Sequence, residues 1–101
     1  MEIALEILFS PRLQALLEEG KPDGVRARML PVHMRRDFDF TPVAIIIMEL
    51  SKDVSVEIFI DWLLAKIPQK ARKTITIDRT EINWDKGELT RIIQEKMKIE
   101  E

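Results

Sequence analysis

The sequence predicts an α+β fold, and three observations carry that reading. Ile3, Leu5 and Ile7 recur with period two in "EIALEIL" near the start, "VAIIIMEL" is a nearly unbroken apolar run rich in β-branched residues, and two segments of helical apolar spacing lie between and after further strand patterns. At 101 residues the chain suffices for one modest core and is too short for two, so 1–101 reads as a single domain. Apolar residues at 46% and charged residues at 34% give a globular rather than a disordered balance.

The first strand sets Ile3, Leu5, Ile7 and Phe9 against Ala4, Glu6 and Leu8, so one face is strongly apolar. Ser10-Pro11 then reads as an N-cap followed by proline at the first helical position, where a missing N–H costs nothing. Leu13, Leu16 and Leu17 form the stripe of a short helix that Gly20 and Pro22 stop. Alternation returns at Val25, Ala27 and Met29, with Arg26 and Arg28 on the other face, as in a charged edge strand. "VAIIIMEL" reads as a central strand covered on both faces.

Ser51 or Asp53 is expected to cap a helix over Val54–Ile67, ending before Pro68. Its apolar residues, from Val56 to Leu64, surround most of the cylinder and leave Glu57, Asp61 and Lys66 as a narrow wet strip. Such a helix is buried on more than one side. "KTITIDRTEINW" reads as a hairpin, in which a four-residue loop at Asp78–Glu81 would pair Ile77 with Ile82 and Ile75 with Trp84. Trp62 and Trp84 are the largest anchors, and both suit a core. Asp85 and Glu88 have capping-box spacing before a last helix striped by Leu89, Ile92, Ile93 and Met97.

The order is β-α-β-β-α-β-β-α. Its first six elements follow a ferredoxin-like split β-α-β plan, to which a C-terminal hairpin strand and helix are added. In that plan the first and third strands are central, as their apolar character demands, and the strand order is 5-4-1-3-2. Right-handed crossovers put the first two helices on one side of the sheet. The other side would show Ala4, Leu8, Leu30, Val43, Ile45 and Ile47, which is too apolar for water. The C-terminal helix is therefore expected to fold across it, with the uncovered remainder serving as a protein-binding or self-association surface.

Composition narrows the function. The net charge of -2, from 16 basic and 18 acidic residues, supplies no global field toward nucleic acid or anionic lipid. The absence of cysteine removes disulfides and thiolate chemistry and fits a reducing compartment, with the cytoplasm as default. Glu2 and Glu6 interrupt what a signal peptide would need, and no apolar run approaches the ~20 residues that span a bilayer. Serines at 10, 51 and 55 read as caps rather than nucleophiles, and His33 has no second histidine or cysteine to complete a zinc site. Asp37 and Asp39 lack further acidic ligands nearby, and the glycines at 20, 24 and 87 form no phosphate loop. No catalytic residue, metal site or cofactor is assigned.

Two candidate surfaces remain. Within "LPVHMRRDFDFTP", the charges of Arg35 and Arg36 nearly cancel against Asp37 and Asp39. Met34 and Phe38 are unusual in a connection and mark a docking loop. Partner-binding candidates are thus Met34, Arg35, Arg36 and Phe38 in the loop, with Leu30, Ile45 and Ile47 on the open face. The alternative is nucleic-acid binding through Arg26, Arg28, Lys70, Arg72 and Lys73, although the sheet lacks aromatics on which bases would stack.

The element order and the closing "KTITIDRTEINW" plus short helix resemble the effector-associated constant component family, small α/β modules of bacterial conflict and defence loci. The resemblance spans most of the chain and includes the Leu- and Trp-bearing helix and the basic hinge "KIPQKARK". In that family the hairpin turn often carries Asp-Gly, whereas here Arg79 follows Asp78. The resemblance implies a non-enzymatic adaptor that couples an effector to other components, and it carries over no catalytic residue.

Overall fold

The computed structural model describes residues 1–30 and 42–99. In chain order the elements are β1 (Glu2–Leu8), α1 (Leu13–Glu18), β2 (Val25–Met29), β3 (Val43–Leu50), α2 (Val56–Lys66), a 3₁₀ turn (Gln69–Ala71), β4 (Arg72–Ile77), β5 (Thr80–Ile82) and α3 (Lys86–Ile99). The fold is α+β: the described residues form five antiparallel strands in the order β2-β3-β1-β4-β5, with three α-helices. Read from the other edge this is the expected order 5-4-1-3-2, and the fifth strand takes the sheet beyond a simple four-stranded split β-α-β arrangement.

Register aligns the apolar rows. Ile3 lies between Met48 and Ile77, and Leu5 between Ile46 and Ile75, all fully buried. On β2, Val25, Ala27 and Met29 continue these rows opposite Leu50, Met48 and Ile46. Gly24, at φ +88°, turns the chain into β2 where a Cβ would run into Ser51 Oγ, so only glycine fits.

The capping assignments divide. Asp85 caps α3 as expected: its Oδ2 accepts from the Glu88 N–H at 2.9 Å and its carbonyl from Leu89 at 2.8 Å. The Ser10 hydroxyl accepts from the Arg12 N–H at 3.4 Å and closes a tight turn, so regular helix begins only at Leu13. For α2 the cap is Ser55, whose Oγ accepts from Ile58 N, and not Ser51 or Asp53. Val54 just before the cap and Phe59 one turn in are both buried in the core, the placement of a hydrophobic staple that selects this start. The hairpin differs too. Asp78 and Arg79, at φ +48° and +70°, form a two-residue turn that pairs Ile77 with Thr80 and Ile75 with Ile82. Two left-handed residues match the strand twist, and Trp84 is left outside the ladder.

The largest correction concerns α3. Leu89 and Ile93 join the same core as Phe59, Ile60 and Leu63, and Lys86 Nζ lies 2.7 Å from Asp61 Oδ1, so α3 packs beside α2 instead of crossing the open face. The connection explains it. β5 is only three residues long, and Asp85 restarts the helix almost at once, leaving no chain to carry α3 around the sheet edge.

Candidate interaction surface

One face of the sheet carries all three helices, and alternation then dictates the other. Among the described residues, the buried apolar side chains outside the main core cluster are Val43 and Ile47, because they point away from the helices. Around them, Ala4, Leu8, Leu30 and Ile45 are half-exposed. The expectation that β3 is covered on both faces therefore holds at Val43 and Ile47 and fails at Ile45.

This face is graded along the strands. Leu8 opposes Val43, the Leu30 N–H donates to the Ile45 carbonyl at 2.9 Å, and Ile47 lies between Arg28 and Ala4. Toward the other end Glu2 opposes Glu49, a like-charge pair that is unfavourable alone, and Arg26 flanks Glu49 on its other side. An apolar patch thus grades into a strip of mixed charge. The structure brings Leu30, Ile45 and Ile47 together as one surface. Met34, Arg35, Arg36 and Phe38 lie outside the described residues, as do His33, Asp37 and Asp39.

The basic candidates do not converge. Arg26 and Arg28 project from the edge strand β2, whereas Lys70, Arg72 and Lys73 lie around the start of β4. Arg72 is spent internally: Nε donates to the Ile67 carbonyl at 3.0 Å and Nη2 to the Leu64 carbonyl at 3.1 Å, while the guanidinium lies 5.6 Å from the Trp84 ring centroid. It satisfies carbonyls at the C-terminus of α2, where a cation also complements the helix dipole. That removes Arg72 from the candidate phosphate contacts.

A second feature was not read from the sequence. Where β1 ends, Ile7, Leu8, Leu13, Leu16 and Ile67 line an apolar cleft of about 350 Å³, with Lys66 and Lys70 at its margin. Among the described residues no group of three or more acidic or histidine side chains is placed to hold a metal ion, and no helix is long and apolar enough to cross a membrane. No protein-family model matches the chain, and neither a curated protein nor a solved structure matches it.

Proposed function

We propose that this chain is a non-enzymatic protein-interaction module, an adaptor of a bacterial defence system, built on a ferredoxin-like core widened by β5. The observation that supports docking is the segregation of all three helices to one face, which leaves Leu30 and Ile45 half-exposed beside Ile47. Contiguous apolar surface of this kind marks interfaces on water-exposed proteins. The defence context rests on the pattern resemblance of the hairpin and closing helix. The partner is a second protein or a second copy of this chain, met in the cytoplasm.

The test has two arms. Light scattering across a concentration series detects self-association, and co-purification with proteins encoded beside this chain detects a partner. Ile45→Glu is expected to abolish whichever association is found while leaving the far-UV spectrum unchanged. A constant monomer mass together with no co-purifying neighbour removes the reading. Nothing favours the nucleic-acid alternative, since Arg72 is engaged and Arg26 lies opposite Glu49. Absence of nucleic-acid binding at low salt eliminates it.

A further inference from the structure

The helix layer is incomplete at one corner. With six residues α1 covers only about 9 Å, and it lies nearer β2 than β1. The cleft opens beside the end of β1, where Ile7, Leu8, Leu13, Leu16, Ile67 and Ala71 line it. Its 350 Å³ falls at the lower end of the ~300–1,000 Å³ typical of small-ligand pockets. That is room for one short aliphatic chain.

The polar groups at the margin choose the ligand's head. Lys66 and Lys70 line the cleft, and no carboxylate among the described residues does. Lys66 has an outside partner in Glu19, but at 3.8 Å, and the Glu19 side chain is 71% exposed, so little is lost by exchanging it. The carbonyls at the end of α2 would ordinarily repel an anion. Here the Arg72 guanidinium already occupies those of Leu64 and Ile67.

We propose that this cleft binds a small aliphatic carboxylate, its chain against Leu13, Leu16 and Ile67 and its head between the ammonium groups of Lys66 and Lys70. The site is separate from the open sheet face and shares only Leu8 with it, so either assignment can fail without the other.

Titrating the ¹⁵N-labelled full chain with sodium decanoate, and in parallel with decylammonium, tests it. Amide shifts at Leu8, Leu13, Leu16, Ile67 and Ala71 are expected, with decanoate bound about fivefold to tenfold more tightly, the discrimination expected of two half-exposed ion pairs. The double variant Lys66→Gln, Lys70→Gln changes only margin side chains and should erase that preference while keeping the dispersed spectrum of the fold. Equal affinity for the two amphiphiles overturns the proposal, and so do shifts centred on Ile45 and Leu30. A leucine-bearing acidic peptide that displaces decanoate at lower concentration also overturns it, by making the occupant a protein segment.

Discussion

The two faces of the sheet are made from the same strands by alternation, yet they differ in what holds them. On the helix side Ile3, Leu5, Ile7, Ile46, Met48, Ile75 and Ile77 are all fully buried. On the other side the same strands offer Ala4, Glu6, Leu8, Ile45 and two threonines, all partly exposed, and only Val43 and Ile47 among the described residues there are buried, neither of them completely. Most of the stability therefore resides on the helix side, and the half-exposed part of the other face is free to serve binding. The contrast makes a direct prediction. Leu5→Ala leaves a cavity in a closed core and should cost about 3–4 kcal/mol, whereas Ile45→Ala, already half in water, should cost about 1 kcal/mol or less. Equal losses in urea unfolding would mean that both faces are closed cores.

Charge repeats the contrast. Arg72 reaches into the helix side and makes two charge-assisted bonds to helix carbonyls, while Arg28 on the open face is exposed. Arg72→Met should destabilise by about 2–3 kcal/mol, since it strips both bonds and the Trp84 contact. Arg72→Lys should recover less than half, because an ammonium cannot span both carbonyls as the planar fork does. Arg28→Met should stay within about 0.5 kcal/mol of the parent. Thermal or urea melts of the three variants give the order directly.

What the sequence made legible, and what it hid, follows from the range of each signal. Period-2 alternation is local, so the buried rows through Ile3, Leu5 and Ile7 and the arginine-bearing edge were readable, and with them the strand order. The Asp85 cap was readable because its partner is three residues away. The stripe of α3, in contrast, says that Leu89 and Ile93 are buried but not against which face. That was decided by the length of β5 and its turn, which periodicity cannot measure, since loops of two and four residues both keep Ile75, Ile77 and Ile82 on one side. The open face could be inferred from alternation alone. The cleft could not, because it is closed by residues some sixty positions apart.

The hairpin turn offers a smaller effect of opposite sign. Arg79 sits at φ +70° in the second position of a two-residue turn, where a side chain is strained and glycine is not. Arg79→Gly should therefore raise stability by about 1 kcal/mol, less the extra entropy glycine has in the unfolded chain. Its side chain is exposed at the sheet end, so binding through Ile45 should not change. A destabilised Arg79→Gly in the same melts would mean that the arginine makes a contact outweighing its backbone strain.

The smallest expected effect separates the two ways α3 is attached to α2. Lys86 and Asp61 are 2.7 Å apart, but their side chains are 62% and 61% exposed, whereas Leu89, one turn on, is fully buried. The hydrogen bond from Lys86 to Asp61, and then the carboxylate's charge, raise the lysine above its ordinary 10.5. A raised value means that the folded state holds the proton more tightly. The pair's contribution is therefore complete below the ordinary lysine value and disappears as pH rises through the raised one. Water and salt screen so exposed a pair, so Lys86→Gln should leave the unfolding midpoint nearly unchanged at neutral pH and about 0.15 M salt. Any difference from the parent should shrink further as pH rises through the lysine's raised value. Leu89→Ala should behave like Leu5→Ala, because burial fastens α3 to the helix side and the ion pair only decorates the seam. A Lys86→Gln loss as large as that of Leu89→Ala would reverse this order and make charge the reason α3 lies beside α2.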